Sequence, residues 1–344
     1  MFKGLFDTQT RFAKIDKNGD SLKKLGEVVD WNIFLPDLAS IRQNVDPAKG
    51  GRPPFDALLK FKMLILQSLY NLSDDNLEQL VLDRLSFMRF PGLGMGDDVP
   101  DAKTIWAFRE SLKEHGLVEK LFARFDDFLN WAGFSAKRGQ IVDASIVEVP
   151  IRRDSREVND KVKKGDEVEE WTPAQRSQKD IDARWTRKNG YDFFGYKNHI
   201  CPDVEHKLIR AYEITPASVH DAKIFEDILR PNSDPSVYSD SAYMSAERIK
   251  AMTAPDSPWL PCIHEKGNAG HPLTEMQRQA NRERSRIRVR VEHVFAAQRQ
   301  RAGHLLLHGI GIARATVKIG LRNLAYNLER FVCLVVIRRR GIVT

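Results

Sequence analysis

Cysteine is scarce in this chain: three in 344 residues, Cys201, Cys262 and Cys333, far apart and without metal-ligand spacing. That excludes a disulfide scaffold and a cysteine-based zinc site, and it points to a reducing compartment. Long apolar runs are missing as well. The longest, Phe331 to Ile337, falls far short of the roughly 20 residues that span a bilayer, and no apolar leader opens the chain. The expectation is a cytoplasmic protein with no membrane partner. Acids are the third shortage, and it is local. Residues 281 to 344 carry fourteen Lys and Arg against three Asp and Glu, whereas the whole chain has 54 against 47 and a net charge of +7. The excess charge therefore belongs to the C-terminal stretch. Apolar residues interleave it (Leu305 to Leu307, Ile319, Leu324, Leu328), which suits a packed surface that attracts a phosphate-rich polymer better than a solubilised tail.

What is present supports a packed protein of about two domains, since 42% of the residues are hydrophobic. Residues 1 to 135 read as helical. Pro53 and Pro54 suit a helix entrance, and apolar spacing from Leu58 to Leu69 predicts a helix over Phe55 to Tyr70. Ser73 is placed to cap SDDNLEQLVLDRL, Asp101 or Thr104 to start the helix through IWAFRESLKEHG, and LVEKLFARFDDFLNWAG is amphipathic. Short helices with brief loops fit a helix-turn-helix style DNA binder, and equally a bundle without DNA contacts. Arg52, Lys60, Lys62, Arg84, Arg89 and Arg109 are candidate phosphate contacts there.

Strand signals begin after Gly139. Gln140 to Val149 reads as a buried strand interrupted by Asp143. A carboxylate in that place is costly unless it has a partner or a metal, or unless backbone amides satisfy it at a strand end. Arg152 to Gly190, with eleven Lys and Arg and nine Asp and Glu, reads as a polar insertion, flexible or ordered only by a polyanion. Strands follow at Tyr196 to Cys201 and Leu208 to Ile214 around a turn at Pro202 and Asp203, then a helix over SVHDAKIFEDIL with His220 and Asp221 bracing it. Val237 to Ser239 forms a strand that runs into Asp240; a helix over Ser245 to Met252 and a strand at Trp259 to Ile263 come next.

The run NRERSRIRVRVEHVFAAQRQR, from Asn281 to Arg301, sets one acid, Glu292, among arginines. On a continuous helix Arg288, Glu292 and Arg299 share a narrow face, and Ile287, Val291, Val294 and Phe295 form an apolar stripe on another. Glu292 is then either an i,i+4 salt-bridge partner of Arg288 or a functional acid held among phosphate-binding cations. Strand-end acids Asp143 and Asp240 with one helix acid, Glu292, can converge at one edge of a mixed sheet. Two such charges ~4 Å apart repel by about 4 kcal/mol at an effective dielectric near 20, so the group holds a proton or binds cations. All-oxygen ligation selects Mg2+ or Mn2+, and an ion pair can serve phosphodiester chemistry.

At this point the chain resembles a bacterial insertion-sequence transposase of the DDE superfamily, most similar to the IS-five group. The resemblance rests on Asp143 in IVDAS, Asp240 in VYSDSAY and Glu292 in RVRVEHVF. GYKNH (Gly195 to His199), TPASVHD, GRPP, DRLSFMRF and PDAKTIWAFR support it in the same order along the chain. Arg288 and Glu292 keep the spacing of the family's Tyr-Arg-Glu-Lys signature; Ser285 stands where Tyr is usual, Arg299 where Lys is usual, and Ala242 where a Gly is common.

The resemblance implies an α/β fold, a ribonuclease H-like mixed sheet flanked by helices and preceded by an all-α N-terminal domain. Residues 1–135 would bind the element ends and dimerise. Residues 136–344 would be catalytic, with the polar insertion at about 152–190 and a basic C-terminal helical region. Asp143, Asp240 and Glu292 would be catalytic and hold two Mg2+ or Mn2+ ions for cleavage at the element ends and strand transfer into target DNA. Arg288, Arg299, Lys197, Arg284, Arg52 and Arg109 would contact DNA. The implied partners are double-stranded DNA, as terminal inverted repeats and target, and a second copy of the chain; the protein would be nucleoid-associated and take no small-molecule substrate. A nuclease of the same fold without strand transfer, and a noncatalytic DNA-binding remnant, are the other readings.

Overall fold

Residues 7–41, 53–151, 155–164 and 171–341 are described by the structure, a computed structural model. They fall into two compact units: one takes the chain up to Phe134 with residues 300–303 and 320–341, the other residues 135–299 and 304–319.

The first unit is helical: α1 (Asp7–Lys17), α2 (Ser21–Val28), a 3-10 turn (Trp31–Phe34), α3 (Leu35–Leu38), α4 (Ala57–Tyr70), α5 (Asp74–Asp83), α6 (Leu85–Arg89), α7 (Ala102–Glu114) and α8 (Leu117–Trp131). Its helix starts follow capping chemistry. Asp56 accepts from Leu59 N at 2.9 Å, so α4 begins at Ala57 and not at Phe55. Ser73 accepts from Asn76 N at 3.1 Å, and Asp101, not Thr104, caps α7 by accepting from Thr104 N at 2.8 Å. Each such bond satisfies a donor the helix itself leaves open, worth about 1 kcal/mol. Phe61, Met63, Leu64, Ile65 and Leu66 of α4 are fully buried, and Trp31, Phe34, Phe61 and Phe90 interlock around them.

Cations expected on the surface of this unit are internal ties. Arg109 Nη1 and Nη2 each lie 2.7 Å from an oxygen of Asp74, and Nη1 also reaches Gln67 Oε1 at 3.0 Å. Arg89 binds Asp16 and Asp20, both at 2.7 Å. Lys60 is buried, its Nζ over the Phe108 ring, and desolvation holds its ammonium below the usual range. Arg109, read as a phosphate contact, has its fork filled by a carboxylate and an amide. Arg52 lies outside the described residues. Arg109→Gln is expected to destabilise the protein by about 2 kcal/mol and to leave the salt dependence of DNA binding unchanged. A shallower salt slope at wild-type stability would return Arg109 to the DNA.

The second unit holds β1 (Gln140–Ile141), β2 (Asp143–Glu148), α9 (Arg156–Lys164), α10 (Pro173–Arg176), β3 (Arg184–Lys188), β4 (Tyr191–Pro202) and β5 (Ile209–Pro216). It continues with β6 (Ser236–Ser239), α11 (Ala246–Met252), β7 (Leu260–Ile263), α12 (Glu275–Arg288) and α13 (Arg290–Ala302). The order β1-β6-β7 is parallel; β2, β5 and β3 pair antiparallel with β4. With β1 and β2 taken as one interrupted strand, the sequence of neighbours is β5-β4-(β2/β1)-β6-β7, the mixed arrangement of a ribonuclease H-like sheet. Val142, Cys201, Phe225, Val237, Tyr243 and Ile263 form one core cluster, and Val147, Tyr196, Ile214 and Leu307 another.

Two expectations are corrected here. The polar insertion is ordered in part, because Asn189 and Gly190 both adopt the left-handed conformation (φ 52° and 84°) and fold β3 back on β4. Trp185 faces Phe194 across that hairpin with ring centroids 5.2 Å apart. Second, SVHDAKIFEDIL is a 3-10 turn (Asp221–Lys223) and irregular chain, not a helix. Arg248 Nη2 takes the Ala222 carbonyl at 2.7 Å, the acceptor a helix would have used for Glu226 N, while Phe225 and Ile228 drop into the core. The basic C-terminal stretch ends in a long helix whose middle is buried. In α14 (Ile312–Arg339) every residue from Ile319 to Leu328 is buried, Arg322 included, and Arg322 Nη2 donates to Gly303 O at 2.9 Å. The part of α14 from Gly320 onward belongs with the helical unit, where Phe331 packs edge-on against Phe125, Phe128 and Phe134.

Candidate active site at the split first strand

Val142 is where the first strand changes neighbours. Gln140 and Ile141 pair with Val237 and Tyr238 of β6, and Val142 N donates to Tyr238 O at 2.8 Å. From Asp143 on, the chain pairs with β4 instead, beginning at Ile200. Carried on past the break, the β1–β6 register sets Asp143 beside Asp240, the residue after β6. Adjacent strands lie about 4.8 Å apart, so the fold seats two carboxylates side by side. The β6–β7 register, extended in the same way past Ser239 and Ile263, adds His264, whose N–H bonds Ser239 O at 3.1 Å. Asp143, Asp240 and His264 thus end three neighbouring strands in one row.

Gly139 permits the close approach of β1 to β6. Its φ is 85°, and a Cβ there would stand 2.6 Å from Ser236 O.

Asp143 is held but not neutralised. Its Oδ1 accepts from Ala144 N at 2.8 Å, and Arg288 Nη2 stands 3.7 Å from Oδ2. Burial nonetheless pushes its carboxyl up to about 6, opposed by the Ala144 amide and Arg288 and reinforced by the Asp240 charge. A strand-end acid satisfied by backbone amides is therefore not what this residue is: one amide does not offset the desolvation. Asp240 caps the 3-10 turn Ser241–Tyr243 by accepting from Ala242 N at 2.8 Å. Each acid thus has one oxygen engaged by backbone. Two partly desolvated carboxylates, charged together, are an all-oxygen donor set for a hard divalent cation.

The helix over residues 281–301 is not continuous. It breaks at Val289 into α12 and α13, with Glu292 N bonded to Val289 O at 3.1 Å in a tight i→i+3 turn. Val289 lies off the apolar stripe and is 60% exposed, whereas Val291 and Val294 are fully buried. The single continuous helix expected under Arg288, Glu292 and Arg299 is thus two helices, α12 and α13. Arg288, at the end of α12, stands at Asp143, while Glu292 is exposed in the first turn of α13 and Arg299 is exposed near its end. Among the described residues no three His, Cys, Asp or Glu side chains are gathered closely enough to hold a metal ion.

The remaining arginines fasten the helix pair to the sheet. Arg284 Nη1 donates to Ile263 O at 2.8 Å and reaches Glu265 Oε1 at 3.2 Å; Arg290 Nη1 donates to Val204 O at 2.8 Å. Lys197, on β4, is likewise engaged, with Asp221 Oδ1 at 2.8 Å and Val219 O at 2.7 Å. Arg284 and Lys197, expected on DNA, are both engaged by protein groups in this structure.

Sequence reasoning gave no role to Tyr243 or His264. Tyr243 is 1% exposed. His199 is fully buried on β4, its Nε2 2.9 Å from Thr215 Oγ1, and desolvation drops it to about 4, so it is neutral at physiological pH. His264 lies 3.2 Å, through Nε2, from Ser285 Oγ. The signal for His264 was present: it follows Ile263 as Asp240 follows Ser239, one residue past a parallel strand. A cavity of about 730 Å3 in the same unit, lined by Trp171, Trp185 and Phe194, includes none of the predicted site residues.

Residues 134–328 match the family model described as "Transposase DDE domain", and residues 9–111 match that described as "Transposase domain (DUF772)". No solved structure matches the chain. Among the described residues no helix is long and apolar enough to cross a membrane.

Proposed function

This chain belongs to the family of transposases that carry a DDE domain, and we propose that it is an insertion-sequence transposase of the IS-five-like group. It would cut phosphodiester bonds at the ends of its element and join the freed 3′ hydroxyls to target DNA. In cutting, a water oxygen bonds to phosphorus, the bond to the 3′ oxygen breaks, and that oxygen leaves with a proton as the hydroxyl. In joining, the same hydroxyl attacks a target phosphate and displaces its 3′ oxygen.

The observation that carries this reading is the buried Asp143 carboxyl at the split strand, raised to about 6 by burial, with the Asp240 charge acting on it and the extended β1–β6 register bringing the two acids level. A site that pays to keep two acids together is suited to a cation. Asp143, Asp240 and Glu292 would hold two Mg2+ or Mn2+ ions, and such ions supply an activated nucleophile and charge stabilisation for the departing oxygen. Because Glu292 stands apart from the pair, it would join when α13 shifts at the Val289 turn. Arg288, whose Nε is buried without a hydrogen-bond partner, is placed to turn from Asp143 to a DNA phosphate, and exposed Arg299 would hold a second. Residues 1–135 would bind the terminal inverted repeats and bring two protomers together, in the cytoplasm at the nucleoid.

The test uses the full chain and a DNA fragment bearing the inverted repeats that flank its gene. With Mg2+ the products should show nicks at the repeat ends and, with plasmid present, joined strands; without it, neither. Nicks without joined products would make it a nuclease. DNA retarded in a gel but never cut with Mg2+ or Mn2+ would reduce the chain to a noncatalytic binder.

A further inference from the structure

The phenol of Tyr243 has no assigned part in this chemistry, yet its setting is unusual. Its ring packs against Phe225 at 5.5 Å, its N–H bonds Asp240 O at 3.2 Å, and its carbonyl accepts from Arg248 Nη1. The side chain is 1% exposed and its hydroxyl is buried without a hydrogen-bond partner. An orphaned buried hydroxyl costs about 1–3 kcal/mol, and such groups call for a reason. Charged groups surround this one. Desolvation, with the charges of Asp221, Asp143 and Asp240 and against the opposing pull of Arg288, holds the phenol far from ionising. It therefore remains a donor at any physiological pH. Arg288, which acts on the phenol and stands at Asp143, has a buried Nε that is likewise without a partner. Lys197 Nζ lies 2.8 Å from Asp221 Oδ1.

We propose that Tyr243 is a positioning residue for the acid pair: its buried, unpartnered hydroxyl donates to the carboxylate of Asp143 when the site takes up a divalent cation, and so fixes the orientation in which that acid ligates. The inference rests on the proposed function and names a further residue for it. A hydrogen bond from a neighbour to a ligating carboxylate is a general means of orienting it, and losing one typically costs 10–100-fold in metal affinity or activity.

Tyr243→Phe in the full chain tests it, with Mn2+ as the probe. Without divalent ions the variant should unfold at the same temperature as the wild type or higher, because the deleted hydroxyl has no partner. Its Mn2+ affinity, read by electron paramagnetic resonance, should fall about tenfold, and its cleavage rate should fall with an unchanged KM for DNA. Phe225→Leu, which loosens the ring packing and keeps the hydroxyl, should lose stability and keep Mn2+ affinity. Wild-type Mn2+ affinity in Tyr243→Phe, or a lowered metal-free stability, overturns the inference and leaves the function standing. If the wild type itself binds no Mn2+ and cuts no DNA, the function falls and the inference with it.

Discussion

Asp143→Asn is expected to abolish DNA cleavage and, at pH 7.5 without divalent ions, to raise the unfolding temperature by a few degrees. The two effects share one cause. In the folded protein the Asp143 carboxyl is raised from 3.8 to about 6, chiefly by burial. Between those values the folded chain keeps a proton that the unfolded chain has released, so stability falls as pH rises through that window and stays reduced above it. A shift of that size corresponds to about 2–3 kcal/mol. Asparagine keeps the shape, removes the charge and so removes the penalty. The stability gain should shrink as pH falls through that window and vanish at about pH 3 or below, where wild-type Asp143 is protonated in both states. Mg2+ should raise the wild-type unfolding temperature and leave that of Asp143→Asn unchanged. A variant less stable than the wild type at pH 7.5 would mean that the Arg288 contact and the Ala144 amide more than offset the desolvation.

Gly195→Ala should be among the most destabilising single substitutions in the chain, by about 3 kcal/mol or more. Gly195 sits on β4 opposite Glu148 of β2 with φ 155°. A Cβ built there stands 2.2 Å from Val147 O and 3.0 Å from Glu148 Cα, both main-chain atoms. Nothing flexible can yield; β2 itself must move, and β2 begins at Asp143. Gly190→Ala is the control. Gly190 is also left-handed, at 84°, but nothing lies within 4 Å of its Cβ position, so it should cost only the conformational term, about 1 kcal/mol. Equal unfolding midpoints for the two variants would show that the β2–β4 approach is not the constraint described. Cleavage by Gly195→Ala should fall with the folded fraction at the assay temperature.

Where the sequence spoke clearly, the chemistry was local. Asp101 and Ser73 announce helix starts because capping is decided within four residues, and Asp240 after Val237 to Ser239 marks a strand end by the same logic. Asp143 stood out as an acid within an apolar run, and its burial makes that cost real. The rest depended on partners distant in sequence. Nothing in SVHDAKIFEDIL warns that Arg248 will claim the Ala222 carbonyl. Arginine count suggested a DNA-facing helix, but which arginines face outward is set by acceptors such as Ile263 O and Val204 O. The break at Val289 has neither glycine nor proline to mark it; its one trace was a β-branched residue off the apolar stripe. The Asn189-Gly190 turn, by contrast, was readable and was overshadowed by the charge around it.

The most direct test of the central claim, that Asp143 and Asp240 seat a divalent cation with Glu292 beside them, is iron-directed cleavage of the protein's own backbone. Fe2+ replaces Mg2+ in the complex with element-end DNA, ascorbate and peroxide generate hydroxyl radicals at the bound ion, and the fragments are mapped by mass. The account predicts cuts clustered at residues 143, 240 and 292, suppressed by excess Mg2+ and absent in Asp143→Asn. Fragments that map elsewhere, or that persist unchanged in Asp143→Asn, would contradict it.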